Sequence, residues 1–267
     1  MKNFLGILNS ECYTTVMPHT QPMSAINFAP EPIAHLQMQP ALIDQVHDRL
    51  LAAIVDGTLA PGRRLTQEEL ALMLGVSRQP ISHALQILKR RGLLVEVGKR
   101  GIAVAPLDGA RIRGLYQVRE ALDGLAAELA AELAAELTAA REGDTSNSTD
   151  GLAGLREIVR HGSSLGSAPI GQFIDADVAF HSALHQLSGN AAITETVAEQ
   201  WPHFRRSMGL VLATPEMRAR VWVEHAQIAD AIAAGNVAEA GNLARRHTAA
   251  AGEDTARRLD ADQQISR

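Results

Sequence analysis

The sequence predicts a mainly α protein with two domains: an N-terminal winged helix-turn-helix, made of three helices and a small β-hairpin, and an all-helical bundle after it. Three observations lead to this prediction. Two short amphipathic patterns meet at Gly75, and a hairpin pattern with a basic tip follows them. Beyond Val104 apolar residues recur at intervals of three and four, with no strand pattern. At 267 residues the chain is long enough for two domains.

A tail and a first helix precede the helix-turn-helix. Residues 1–40 mix Pro, Ser, Thr, Asn and Gln without sustained periodicity, which predicts a flexible N-terminal tail. Apolar residues then recur with helical spacing from Leu42 to Ile54, so we expect a helix that packs on the helix-turn-helix. Asp56-Gly57 ends this helix, and Pro61-Gly62 marks the turn that follows.

The two helices of the helix-turn-helix carry their own start and stop signals. Thr66 with Glu69 three residues later is a capping-box start, in which the hydroxyl and the carboxylate satisfy exposed amides. Gly75 ends this helix, because glycine adopts the left-handed conformation at little cost. Ser77 is predicted to cap the next helix at once. The buried face of that helix is expected to consist of Ile81, Ala84, Leu85 and Leu88.

A basic hairpin completes the predicted DNA-binding domain, which spans residues 41–106. Two short apolar segments, 93–97 and 102–104, flank a tip rich in glycine and basic residues. In a winged helix the second helix of the helix-turn-helix enters the major groove, while the wing approaches the backbone or the minor groove. Arg78 begins that helix, and an arginine there reaches guanine O6 and N7. The candidate DNA contacts are Arg78, Gln79, Ser82, Lys99, Arg100 and Arg64.

Charge is divided unequally between the two predicted domains. The chain has a formal net charge of −5. Residues 41–107 contain nine Lys or Arg against six Asp or Glu, whereas residues 108–267 contain fifteen against twenty-two. Basic residues therefore concentrate where DNA phosphates are expected. The single Cys12 excludes an intramolecular disulfide, and no apolar run approaches the roughly 20 residues of a membrane span, so we expect a cytoplasmic protein.

The rest of the chain predicts an all-helical domain of six or seven helices over residues 107–262, with a short tail at 263–267. A long helical pattern runs from about 110 to 141, and a polar loop follows at 142–150. Further helices are expected at about 152–159, 170–188, 191–212, 215–234 and 237–259.

One aspartate and three histidines of this domain are candidate metal ligands. Asp177 and His181 are four residues apart on one amphipathic helix, so their side chains share a face, while His225 and His247 lie on two later helices. A carboxylate and three imidazoles suit Zn, with Ni, Mn or Fe as alternatives, and leave room for water or a ligand oxygen. Taken singly, each histidine is more often a core or surface residue. His185 is expected to be a polar neighbour.

Two groups of motifs resemble a known protein family. The first is similar to the DNA-binding domain of GntR-family bacterial transcription regulators and consists of 59–65, Glu69-Leu70-Ala71, 74–80, Ala84-Leu85 and Gly92-Leu93. The second resembles, in order, the ligand-binding domain of the FadR-type branch, called FCD, and consists of 119–123, 177–181, Ser188-Gly189-Asn190, Glu224-His225 and His247.

This resemblance implies a set of functional roles. The implied ligands of a divalent metal inside the bundle are Asp177, His181, His225 and His247. A small carboxylate effector would complete the metal shell, and Arg119 and Asn190 would contact it. Alternatively, Arg119 holds only Glu120 or Asp123 within the bundle. We therefore expect a homodimeric repressor that binds a near-palindromic double-stranded DNA operator and responds to an organic acid.

The chain departs from the family pattern at three positions of the DNA-binding domain, and two alternative functions have to be considered. Ser82 and His83 stand where the FadR-type pattern commonly has Arg and Glu, and Glu68 stands where Arg is frequent, which predicts a different base preference. The metal could itself be the signal, or be purely structural, with no organic effector. A metal-dependent hydrolase is the other alternative, although no H-E-x-x-H motif is present.

Overall fold

The computed structural model describes residues 42–98, 101–140 and 149–265, and these ranges contain ten helices and three short strands. The predicted N-terminal tail, the wing residues Lys99 and Arg100, and most of the predicted loop at 142–150 lie outside them. Residues 263–265 of the predicted C-terminal tail instead belong to the last helix. The mainly α fold, with a winged helix-turn-helix before a helical region, is confirmed.

The winged helix-turn-helix is built from α1 (Leu42–Val55), α2 (Gln67–Leu74) and α3 (Arg78–Arg90). The regularly spaced apolar residues that predicted α1 and α3 lie in one common core, where the two helices pack against each other. The predicted core positions of α3 are 0–2% exposed: Ile81, Ala84, Leu85 and Leu88.

The caps of these helices follow the prediction in part. Thr66 Oγ1 accepts a hydrogen bond from the Glu69 amide at 3.1 Å, and Gly75 ends α2 with φ +65°. The Glu69 carboxylate does not follow the prediction, because Arg63 Nη2 binds it at 2.6 Å. Ser77 occupies the N-cap of α3, but its side chain makes no capping hydrogen bond. Ser77 therefore helps to start α3 through its extended backbone and not through its hydroxyl.

The predicted hairpin is part of a three-stranded antiparallel sheet. It consists of β2 (Leu94–Val97) and β3 (Gly101–Val104), and the third strand is β1 (Arg64–Leu65), in the order β1-β3-β2. Arg64 pairs with Ala103, and Leu65 pairs with Ile102. A strand of two residues is too short to produce an alternating pattern, so periodicity could not predict β1.

Seven helices follow, and no strand occurs after Val104 within the described ranges. They are α4 (Gly109–Ala140), α5 (Thr149–Ser163), α6 (Ile170–Leu187), α7 (Ala191–Ala198), α8 (Trp201–Val211), α9 (Pro215–Ala233) and α10 (Val237–Ile265). The prediction of one helix over 191–212 is wrong. Pro202 in the first turn of α8 cannot continue a helix, because it lacks an N–H and its ring clashes with the carbonyl four residues earlier.

The long helices α4 and α10 pack closely through small residues. The buried side of α4 is rich in alanine and includes Ala126, Ala127, Ala130, Ala131 and Ala134. Gly252 of α10 lies so near Tyr116 that a methyl group there would come within 3.0 Å of the ring. Four apolar residues of α4 are 38–54% exposed: Val118, Leu125, Leu133 and Leu137. In the described part of the chain, no helix is both long enough and apolar enough to span a membrane.

Candidate metal centre

The four predicted ligands come together in the interior of the helical region. Asp177 and His181 lie one turn apart on α6, His225 lies on α9, and His247 lies on α10. One potential ligand atom from each residue lies within 4.8 Å of those of the other three. All four are buried, with 0–6% of each residue exposed. Three separate helices thus bring one carboxylate and three imidazoles to one point.

The Nε2 atoms of His181 and His225 lie near the Asp177 carboxylate, and that of His247 faces His225. His225 Nε2 lies 3.1 Å from His247 Nε2 and 3.6 Å from Asp177 Oδ1. His181 Nε2 lies 3.9 Å from Asp177 Oδ2. On its other side, the His247 ring is held by Glu224, whose Oε2 lies 2.7 Å from Nδ1. The arrangement directs several lone pairs into one small volume.

An unsatisfied nitrogen atom that faces Asp177, Nε2 of His181, indicates that these residues fit a cation. His181 Nδ1 and Nε2 and His225 Nδ1 are buried and have no hydrogen-bond partner among the described residues. Leaving a buried polar atom unpaired costs roughly 1–3 kcal/mol. A divalent cation among the four ligands would satisfy Nε2 of His181 and would separate the two facing nitrogens of His225 and His247. The donor set is the kind that binds Zn and related metals.

Burial also keeps these histidines in the form that binds metals. It lowers the pKa of His181 to about 3, with the nearby Arg119 cation acting in the same direction. Burial likewise lowers the pKa of His225 well below its ordinary value. Burial raises the pKa of Asp177, although Arg119 and His247 oppose that shift. Neutral imidazoles are competent ligands without first losing a proton.

A small cavity lies beside the ligand cluster. It has a volume of about 20 Å³, which is room for about one water molecule. The residues around it are Tyr116, Arg119, Asp177, His181, Met208, Val211, Leu212, Val221, His247, Thr248 and Ala251.

The two predicted effector contacts lie in different places. Arg119 lines the cavity, is 3% exposed, and donates from Nε to Asp123 Oδ2 at 3.2 Å. Its guanidinium carbon lies 4.8 Å from the ring centroid of Trp201. Asn190 does not line this cavity, because its side chain caps α7 by accepting the Ala192 amide at 3.1 Å. Of the two predicted effector contacts, Arg119 lines the cavity and Asn190 does not.

The predicted DNA contacts lie on the winged helix-turn-helix. Arg78 and Gln79 in the first turn of α3 are exposed, as is Arg64, and Ser82 is half-buried. Arg78 Nη1 forms an ion pair with Glu68 Oε1 at 2.9 Å. The predicted wing contacts, Lys99 and Arg100, lie outside the described residues.

Sequence reasoning assigned nothing to His203, which joins the helical region to the winged helix. Its Nε2 lies 2.9 Å from the carbonyl oxygen of Arg91, just after α3. Arg206, one turn later on α8, donates to the carbonyl oxygen of Ala105. Both acceptors are backbone atoms, so no residue type could have revealed the pairing. The opposite side of α8 supplies Met208 and Val211 to the cavity wall.

Comparisons with known proteins agree with this architecture. Residues 42–104 match the family model described as bacterial regulatory proteins, gntR family, and residues 114–250 match the FCD domain. An uncharacterized HTH-type transcriptional regulator in an unstable DNA locus of Streptomyces ambofaciens is 31% identical over 218 residues, which cover 79% of this chain and 84% of that protein.

Solved structures with similar folds also exist. A GntR transcriptional regulator from Rhodococcus sp. RHA1 is 25% identical, with a TM-score of 0.62 over 82% of this chain and 98% of that one. McbR/YncC of E. coli shares the fold at 20% identity, with a TM-score of 0.63 over 84% of this chain and 100% of that one.

Proposed function

Since this chain belongs to the GntR family of bacterial regulatory proteins and carries an FCD domain, we propose that it is a repressor whose operator binding is controlled by a small carboxylate held at a divalent metal. Membership of the family makes the chain a DNA-binding transcription regulator and not an enzyme. We assign DNA binding to residues 41–106, and metal binding, effector binding and dimerisation to residues 107–262. Its place of action is the cytoplasm, where operator DNA is accessible.

The observation that carries the metal part of the proposal is the buried ligand cluster. Four potential ligand atoms lie within 4.8 Å of one another, and three of the four residues are histidines with inward-facing nitrogens. Zn is the expected ion, and Ni, Mn and Fe suit the same donors. When bound, such an ion supplies a positive centre that attracts a carboxylate oxygen. The ligands are Asp177, His181, His225 and His247.

Arg119 supports a carboxylate as the effector. Its guanidinium is buried in the cavity wall, and Asp123 takes only its Nε hydrogen bond. An arginine offers five N–H donors, so others remain for an incoming carboxylate. Asn190 is left out of this part of the proposal, because its side chain caps α7.

The cavity volume and the position of α8 suggest how binding reaches the DNA-binding domain. A cavity of about 20 Å³ holds about one water, so an organic acid has to displace the wall formed in part by Met208 and Val211. The same helix binds backbone carbonyls of the winged helix-turn-helix through His203 and Arg206. An effector that binds only when α8 has moved therefore favours the moved position of α8. It thereby shifts the population of the protein away from the DNA-binding state.

DNA recognition is assigned to a homodimer on a near-palindromic site. One small winged helix contacts a single half-site, so a second copy is needed for an operator with two-fold symmetry. Arg78 and Gln79 are exposed at the start of α3 and suit base or phosphate contacts, and Arg64 and Ser82 lie nearby in sequence. The half-exposed apolar face of α4, which carries Val118, suits a contact between subunits.

The test is operator binding by metal-loaded protein. An operator is first selected from random DNA, and its affinity is measured by fluorescence anisotropy with a panel of mono-, di- and tricarboxylates. We expect at least one acid to weaken binding about tenfold or more, and the Arg119→Ala variant to lose that response. If no acid changes the affinity, the effector part is wrong. A response to metal alone would then favour the metal as the signal.

A further inference from the structure

Asp123 on α4 is a fully buried carboxylate with four polar neighbours on three helices. Its Oδ2 lies 3.2 Å from Arg119 Nε, 2.7 Å from Thr248 Oγ1 and 3.2 Å from His181 Nδ1. Its Oδ1 lies 2.6 Å from His185 Nε2. Arg119 is a cation that can only donate, and the Thr248 hydroxyl donates to the same oxygen, so Asp123 acts as the charged acceptor of this group.

The contact with His181 matters because of which ring nitrogen it engages. Asp123 faces Nδ1, while Nε2 of the same ring faces Asp177 at 3.9 Å. The distance between Nδ1 and Oδ2 lies within the range of a hydrogen bond, although the angles at the ring do not meet those of one. An anion beside Nδ1 favours the tautomer that carries its hydrogen there. That tautomer leaves the Nε2 lone pair directed into the ligand cluster.

We propose that Asp123 is a positioning residue that fixes the tautomer of His181 for metal binding and joins this ligand to Arg119. This proposal rests on the metal site proposed above. Asp123 Oδ2 contacts both the ring of a metal ligand and the arginine expected to bind the effector, so each group constrains the position of the other. Asp123 is not one of the four proposed ligands.

Glu224 offers a useful contrast. It holds the Nδ1 of His247 at 2.7 Å, but its side chain is 27% exposed, and Arg220 lies 3.5 Å from its other oxygen. Water can replace the Glu224 carboxylate, whereas nothing can replace that of Asp123, which is 0% exposed. Of the two carboxylates that orient histidine ligands, Asp123 is therefore the one whose loss has the larger effect.

The first test needs no metal, and it changes neither Asp123 nor its contacts in the protein that is measured. In chelator-treated wild-type protein with ¹⁵N-labelled histidine, long-range ¹H–¹⁵N correlation spectra distinguish the two neutral tautomers, and the His181→Gln variant assigns the His181 signals. We expect His181 to carry its hydrogen on Nδ1. A hydrogen on Nε2 would overturn the proposal. This result is independent of whether the protein binds metal, so it separates a failure here from a failure of the proposed function.

The second test measures Zn affinity by competition with a chromophoric chelator. Asp123→Asn removes the charge and one accepting oxygen, and we expect the affinity to fall about 10- to 100-fold, the usual effect of losing such a partner. Glu132→Gln, the same type of change at an exposed site on α4, should leave the affinity unchanged. Glu224→Gln should lie between them. If Asp123→Asn binds Zn as tightly as Glu132→Gln, Asp123 does not position His181.

Discussion

The Nε2 atom of His225 lies 3.1 Å from the Nε2 atom of His247, across the interface between α9 and α10. At this distance the two nitrogens cannot both carry a hydrogen, and both rings are at most 5% exposed. Phe180 stacks on His225 with ring centroids 3.8 Å apart and holds that ring in place. Without a metal, the protein therefore already holds the His225 and His247 rings with both Nε2 atoms facing the point where a shared cation would bind.

The stability of metal-free protein should depend on pH. The pKa of His181 is about 3 in the folded protein, against an ordinary value of 6.5, so the unfolded chain binds a proton that the folded chain does not. As the pH falls from 6.5 toward 3, the free energy of unfolding should fall by up to about 1.4 kcal/mol per unit for each such histidine. His225 shifts in the same direction.

Asp177 acts in the opposite sense. Its pKa is raised above 3.8, so between 3.8 and its folded value the folded state holds the extra proton and gains stability as the pH falls. Urea unfolding of chelator-treated Asp177→Asn protein at steps from pH 7 to pH 5 removes this contribution and measures the histidines. Equal stability at pH 7 and pH 5 would show that His181 and His225 do not titrate as inferred.

The packing of α5 on α9 can be tested with two glycines of one helix. A methyl group at Gly162 would come within 3.0 Å of the Trp222 ring, whereas nothing lies within 4 Å of the same position at Gly154. Gly162→Ala should destabilise the protein by roughly 1–3 kcal/mol, and Gly154→Ala should stabilise it by up to about 1 kcal/mol. Urea unfolding at pH 7 measures both. Equal effects of the two changes would contradict this packing.

The contact between α8 and the winged helix should transmit metal binding. His203→Ala leaves the Arg91 carbonyl without its partner and should cost about 1–2 kcal/mol of stability. In wild-type protein, Zn should alter amide hydrogen exchange in α3, and His203→Ala should reduce that response. His161→Ala, at an exposed position on α5, serves as the control. An α3 response of the same size in both variants would exclude this route.

The exposed arginine at the start of α3 should contribute to operator binding. Arg78→Ala should weaken binding to a selected operator by about 1–3 kcal/mol, and Arg246→Ala on α10 should not. Loss of discrimination at one base pair would identify a base contact, and a salt dependence lower by about one unit would identify a phosphate contact. Affinity unaffected by Arg78→Ala would remove this residue from the interface.

Local sequence patterns were enough to predict the winged helix-turn-helix, because the residues that start, end and bury its helices lie close together in sequence. The Thr66 cap, the Gly75 stop and the spacing from Ile81 to Leu88 each act within a turn or two of their own position. The break between α7 and α8 also had a local signal in Pro202, but the apolar periodicity continues through it. Periodicity alone therefore joined two helices into one.

Contacts between distant residues could not be predicted in this way. Helical spacing places Asp177 beside His181, but only the family resemblance brought His225 and His247 to them. The role of Asp123 depends on partners up to 125 positions away, and its neighbours in sequence give no sign of it. In α4 alanines such as Ala127 form much of the buried side, and the spacing of apolar residues did not distinguish them from leucines such as Leu133, which is 40% exposed.

Metal content is the most direct test of the proposed site. It should be measured by elemental analysis on protein purified without chelator and without a histidine tag, beside His225→Ala prepared identically. We predict about one divalent ion per chain in the wild-type protein and little in the variant. Wild-type protein that contains no metal, and that added Zn or Ni does not stabilise against heat, would contradict the assignment of Asp177, His181, His225 and His247 as ligands.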